Sequence, residues 1–166
     1  MAEEIFTAST ENLRDLKKQR KRICALVNRA IREKQDPDLI SLTKMYALLY
    51  SAYVETSFLK LIHTPKAFTE SEIIQIMAER NLEQKWLKCV DFAFNKLNTT
   101  NLGEVANKKQ TLHRLLQEYI IDPSQIRNKV AHGQWVYCLN NECTKVNHDT
   151  TALMANLDFV KIEKYF

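Results

Sequence analysis

The sequence predicts an all-α fold, an antiparallel bundle of about five or six helices with a small C-terminal β-hairpin. Only two glycines and three prolines occur in 166 residues, so turn-forming material is scarce and long helices with short connections are favoured. Apolar residues recur at helical spacing along most of the chain. One late stretch, 134–147, instead gathers Trp, Val, Tyr, Cys and Thr around Asn-Asn-Glu, the composition of a hairpin. The length suits one domain, 1–166, with a proper core.

The first helix is expected from Ser9 or Thr10 to about Lys34. Leu13, Leu16, Arg20, Ile23, Val27, Ala30 and Ile31 share one face, and either hydroxyl residue suits the N-cap. Within it "KKQRKR" (17–22) reads either as a solvated basic face or as a phosphate-tracking patch. In the second helix Asp36 is the expected cap, with Pro37 at a position where its missing N–H costs nothing. Between Lys44 and Lys60 this helix is apolar or small nearly all round, so it is expected to be central and buried on most sides, with Pro65 ending it.

"TESE" (69–72) is a capping box ahead of "IIQIMAER". "NLEQKWLKCVDFAFNKL" (81–97) continues or restarts the helix, with Trp86, Val90, Phe94 and Leu97 on one stripe. Residues 98–104 read as a loop holding Gly103, and 108–120 as another amphipathic helix. In "DPSQIRNKVAHG" Asp122 is expected to cap, Pro123 to lead and Gly133 to stop a further helix. After the hairpin, 149–166 returns to helical period and ends without a cap, as a continuing chain would.

The formal net charge of +4 is compatible with a nucleic-acid partner. "MAEEIFTAST" opens acidic and lacks an apolar segment, so no secretory signal is expected. The longest nearly uncharged run, 45–59, is too short for a membrane span and contains Glu55. Cysteines 24, 89, 138 and 143 form no regular framework and read as reduced thiols in the cytoplasm.

The candidate chemistry lies in "SQIRNKVAHGQW" (124–135). With about 100° per residue from Ile126, Val130 and Gly133 fall on the same edge and are expected inside. Arg127, Asn128, Ala131 and His132 spread over the opposite arc. Asn128 and His132 stand four apart and stack, so Asn128 is placed to orient the imidazole. Cleaving RNA requires a base for the 2′-hydroxyl proton, an acid for the leaving oxygen and a cation for the phosphate in the transition state. Arginine supplies that cation bidentately and is always charged. One histidine does not readily serve both proton transfers, and the small Ala131 leaves space for close approach. An isologous homodimer through the 127–132 face is therefore expected.

"RNKVAHG" resembles the signature of the HEPN superfamily (higher eukaryotes and prokaryotes nucleotide-binding). That signature is an Arg, a polar residue, three or more further positions and a His, near the end of a late bundle helix. Arg127, Asn128 and His132 stand at the matching positions. "YALLYSAYVETSFLKLI" looks like the family's second long helix, and "HGQWVYCLNNECTKVN" resembles the hairpin that follows the motif in some bacterial members. The resemblance covers most of the chain, and its specific part is the short motif. It implies a dimeric, metal-independent endoribonuclease acting on single-stranded RNA without a cofactor, often a toxin or antiphage effector held by an antitoxin or regulatory partner. Arg127 would bind the scissile phosphate, His132 would transfer protons and Asn128 would position His132. Because some members bind without cleaving, the alternative is a non-catalytic RNA- or nucleotide-binding or protein-interaction module.

Glu55, the sole charge in its apolar run, is expected to be buried and either paired locally or bracing Arg127 or His132. Tyr46, Tyr50 and Tyr53 share a face and read as core packing ahead of base stacking. Cys138, Cys143 and His148 raise zinc, yet the spacing is unlike a standard knuckle and no fourth ligand is evident, so no metal is expected. His63 and His113 receive no role.

Overall fold

The structure is a computed structural model that describes residues 2–97 and 101–166. It is mostly helical, and no strand occurs among the described residues. The helices are α1 (Ala2–Arg32), α2 (Asp36–Ile62), α3 (Glu70–Met77), α4 (Leu82–Asn95), α5 (Leu102–Leu116), α6 (Asp122–Ala131), α7 (His148–Ala155) and α8 (Phe159–Glu163). A π-helical turn, Gln117–Ile121, joins α5 to α6. No described helix is long and apolar enough to cross a membrane. The chain forms two compact units, Met1–Leu13 with Val54–Ile121, and Arg14–Tyr53 with Asp122–Phe166.

In the first unit, α1 begins at Ala2, well before the expected caps. Glu3 and Glu4 sit in its first turn, where the helix dipole favours negative charge. The Thr10 hydroxyl bonds back to the Phe6 carbonyl at 2.9 Å inside the helix, and Ser9 is buried, so neither caps it. The core gathers Phe58 and Ile62 of α2, Ile76 of α3 and Cys89 of α4, with Trp86 against Phe58 at 4.8 Å between ring centroids. Burial of each large apolar side chain contributes about 1.5–3 kcal/mol. It also pushes the Cys89 thiol up to about 11, which keeps it protonated.

The capping box forms in both halves. The Thr69 hydroxyl accepts from the Glu72 N–H at 3.3 Å, and the Glu72 carboxylate accepts from the Thr69 N–H at 2.7 Å. That carboxylate also meets the Lys96 ammonium at 2.8 Å, tying the end of α4 to the start of α3. α4 restarts at Asn81, whose side chain accepts from the Gln84 N–H. Trp86, Val90 and Phe94 face the core as expected, whereas Leu97 lies past the helix end and is exposed. The expected loop 98–104 falls partly outside the described residues. Its end is helical, with Asn101 capping α5 and Gly103 inside it.

The two Asp-Pro pairs behave differently. Lys34, at φ +54°, turns the chain after α1, and the Gln35 carbonyl accepts the first α2 bond from the Leu39 N–H. Asp36 therefore stands in the first turn of α2 and is not its cap. At 122–123 α6 follows the π turn without a break, so it does not start afresh from a loop as α2 does. Ile121 is buried beside Val90 and Leu116, with Ile120 packed on them, and this holds the backbone in helix up to Pro123. Pro123 offers no N–H to the Tyr119 carbonyl and its ring crowds that oxygen. The π turn widens the helix there and relieves the crowding.

In the second unit, α1 presents Val27 and Ala30 buried and Leu16, Arg20 and Ile23 half-buried. α2 buries Thr43, Tyr46, Ala47 and Tyr50 on one stripe while Met45 is exposed, so it is buried along a face and not all round. α6 packs on α7 through Val130, Cys138 and Met154, with Ile126, Leu48 and Leu157 around them.

The expected hairpin at 134–147 is absent. One antiparallel bridge, Leu139–Val146, is all that forms. The reason is local competition for backbone donors. The Cys138 N–H, which a ladder would direct to the Asn147 carbonyl, goes to the Thr151 hydroxyl at 2.9 Å. The Asn140 side chain collects the Thr144 and Lys145 N–H groups at 2.8 and 3.1 Å, closing a turn in place of a ladder. The tail splits into α7 and α8 because the Asp158 carboxylate caps a new start, accepting from the Val160 and Lys161 N–H groups.

His63, just past α2, is buried, and among the described residues its Nδ1 has no hydrogen-bond partner. Burial lowers its pKa below the ordinary 6.5. The fold therefore holds it neutral, while the unfolded chain takes up a proton near 6.5, so its contribution is present above that value and fades as pH falls through the lower folded value. Thermal melts of the wild type should show a lower Tm at about pH 5.5 than at about pH 7.5, and His63→Gln should flatten that slope. Equal slopes in the two proteins would remove His63 as its source.

Candidate functional site

The sequence "IRNKVAHG" forms the last turns of α6 and its stop. Gly133 takes φ +78°, its N–H reaches the Val130 carbonyl at 3.1 Å, and the Gln134 N–H reaches the Lys129 carbonyl at 2.9 Å. This is the paired bonding of a Schellman stop, with Gly133 in the left-handed position that disfavours any Cβ. His132 is consequently the last residue before the reversal. Gly133 itself is exposed, so the expected inward edge reduces to Ile126 and Val130.

The outward arc is realised in part. Asn128, Ala131 and His132 are exposed and Arg127 is half-buried. One turn separates Asn128 from His132, joined by the helical bond from the His132 N–H to the Asn128 carbonyl at 3.1 Å. Among the described residues no hydrogen bond joins their side chains, so the orienting contact expected of Asn128 is not made here.

Glu55 departs from expectation. It is exposed, because the α2 stripe that carries Val54 and Phe58 inward leaves position 55 outside. The premise of a buried carboxylate needing a distant cation therefore falls. Tyr46 and Tyr50 are core residues and Tyr53 is half-buried, as the packing reading anticipated.

The loop after α6 is pinned back onto it. The Trp135 indole N–H donates to the Val130 carbonyl at 3.0 Å. Lys129 donates to the Leu139 carbonyl at 2.6 Å, and Lys44 of α2 to the Trp135 carbonyl at 2.6 Å, its ammonium 5.7 Å from the indole centroid. Cys138 is buried in the core and Cys143 is exposed at φ +54°, both as free thiols. Among the described residues no three His, Cys, Asp or Glu side chains are grouped to hold a metal ion.

A second polar constellation escaped the sequence reading. The Arg20 guanidinium reaches both Glu163 oxygens, at 2.6 Å to Oε1 and 3.3 Å to Oε2, and its Nε also donates to the Tyr46 hydroxyl at 3.2 Å. The Tyr46 hydroxyl donates to Glu163, and the Cys24 thiol lies 3.4 Å from that hydroxyl and 3.6 Å from the carboxylate. Phe166 lies 4.9 Å beneath the guanidinium and 5.1 Å from the Tyr46 ring. The hydrogen bond to Glu163 raises the Arg20 pKa. Burial, then the adjacent Glu163 charge, raises that of Cys24, which makes the thiol a poor nucleophile. The group therefore clamps α8 onto α1 and α2. Its signal was Arg20 on the apolar stripe, a position where an arginine needs a partner. Elsewhere in this unit a cleft of about 450 Å³, lined by Leu26, Arg29, Gln35 and Asp38 among others, contains none of the expected site residues.

No family model, curated protein or solved structure matches this chain.

Gly133→Ala is expected to cost about 1–2 kcal/mol through backbone strain alone, since an added Cβ would meet nothing within 4 Å. Urea denaturation measures it, and an unchanged midpoint would mean that the turn does not constrain the end of α6. Glu163→Gln should lower stability by about 1–2 kcal/mol and loosen α8 in hydrogen exchange. Unchanged exchange there would assign the attachment of α8 to aromatic packing alone.

Proposed function

We propose that this chain is a metal-independent endoribonuclease of HEPN type that cleaves single-stranded RNA in the cytoplasm as a homodimer. The observation that carries the proposal is the end of α6, where His132 and Asn128 are exposed one turn apart and Arg127 precedes them on the same helix. Arg127 would bind the scissile phosphate bidentately. His132 would exchange the proton of the attacking 2′-hydroxyl, with the 2′-oxygen displacing the 5′-oxygen and leaving a 2′,3′-cyclic phosphate. Asn128 would orient His132 once RNA is bound, since catalytic hydrogen bonds often tighten only in the complex. A second copy would bring the other proton-transfer group across the face that Ala131 leaves open. In this reading Glu55 has at most a supporting role. A toxin or antiphage effector restrained by an antitoxin or regulatory partner fits the same chemistry.

The second reading, an RNA- or nucleotide-binding module without turnover, is favoured by one observation, that the Asn128 and His132 side chains share no hydrogen bond among the described residues.

The test is purified protein with end-labelled single-stranded RNA in EDTA. Cleavage should persist, produce 2′,3′-cyclic phosphate ends, and fall at least about 100-fold in Arg127→Ala and in His132→Ala. Activity that vanishes in EDTA, or that survives either substitution, overturns the catalytic assignment. Salt-sensitive binding without cleavage selects the binding module.

A further inference from the structure

Directly after His132 the chain exposes three large side chains in a row. Trp135 is 36%, Val136 69% and Tyr137 65% accessible. The indole is not loose. Its N–H is tied to the Val130 carbonyl at 3.0 Å, two residues before His132, and Lys44 holds the Trp135 carbonyl at 2.6 Å. An aromatic ring held in place at low entropy cost is what stacking on a flat ligand requires. The charge beside it narrows the ligand. Lys44 and Lys129 each donate one hydrogen bond to a backbone carbonyl of this loop, Trp135 and Leu139, and among the described residues neither is paired with a carboxylate. An apolar peptide seated on Trp135–Tyr137 would leave both ammonium groups unneutralised. A strand that alternates flat bases with phosphates matches the rings and the cations together.

We infer that Trp135 and Tyr137 form a base-stacking platform for single-stranded RNA, with Lys44 and Lys129 meeting the phosphates beside it. The inference deepens the ribonuclease reading and rests on it for the identity of the strand. It places the bases next to the scissile phosphate on the loop and leaves Arg127 and His132 to the phosphate itself. It also gives the unformed hairpin a use, since side-chain bonding to the loop backbone, where a ladder would have formed, leaves these rings at the surface.

The test uses the full chain and a 2′-O-methyl oligonucleotide of about ten uridines or adenosines, which binds but cannot be cleaved. Trp135 is one of two tryptophans, so Trp86→Phe makes its fluorescence a specific reporter. Stacking should quench that fluorescence on binding, with the adenosine strand binding tighter and added salt weakening both. In the wild-type background, anisotropy of the labelled strand should show Tyr137→Ala weakening binding roughly ten-fold, and Lys44→Ala flattening the salt dependence. Quenching without cleavage of ordinary RNA supports the platform and sinks the catalytic reading. Cleavage without quenching, and with Tyr137→Ala binding as wild type, overturns the platform and leaves catalysis standing. Equal binding of a sulfated polysaccharide without quenching reduces the site to charge and overturns the proposal. So does a Trp135 signal that shifts with protein concentration in the absence of RNA, which would make a second copy of the chain the occupant.

Discussion

One apolar stripe on α2 feeds both cores of this protein. Its N-terminal half buries Tyr46, Ala47 and Tyr50 in the second unit, and its C-terminal half buries Phe58 and Ile62 in the first. Within each unit the helix period of 3.6 residues keeps these positions on one face. The other elements answer to that stripe. Phe159 and Phe166 pack on Tyr46, so the chain beyond α7 has a place to fold. Trp86 packs on Phe58, which sets how α4 lies in its unit.

The candidate site depends on where α6 ends. The Schellman stop at Gly133 turns the chain immediately after His132, and the core contacts of Ile126 and Val130 set the rotation of the helix. Together they put Asn128 and His132 at the surface. The loop beyond is organised by side chains bonding to backbone. Asn140 and Thr151 take the Lys145 and Cys138 donors that a β-ladder would have used, and Gln134 holds the Leu139 N–H. Such a loop is compact without being regular, and it displays Trp135, Val136 and Tyr137 where a paired strand could have turned some of them inward.

Local rules were legible in the sequence at the start of α3 and the stop of α6. The Thr69–Glu72 capping box formed because both partners lie within one helical turn, and Gly133 stopped α6 because only glycine enters the left-handed region at little cost. The same rules failed where distant contacts outweighed them. Asp122-Pro123 carries the starting signal of Asp36-Pro37, yet the buried Ile121 kept the backbone helical and the proline was absorbed by a π turn. The hairpin was foreseen from β-prone residues, but Thr151, on the following helix, took one of the donors it needed. Glu55 stood alone among apolar neighbours in sequence, and only the rotation of α2 decided that it faces outward.

By itself the sequence determined the all-helical class, the α3 cap and the stop of α6. Each of these depends on contacts within a few residues, where spacing and side-chain type are sufficient. Tertiary structure alone decided the clamp of Arg20 on Glu163, a pairing across 143 residues, the exposure of Tyr137 and the seating of Trp135 beside Lys44. Those depend on which helix faces meet, and a linear pattern records the faces of each helix without recording their partners.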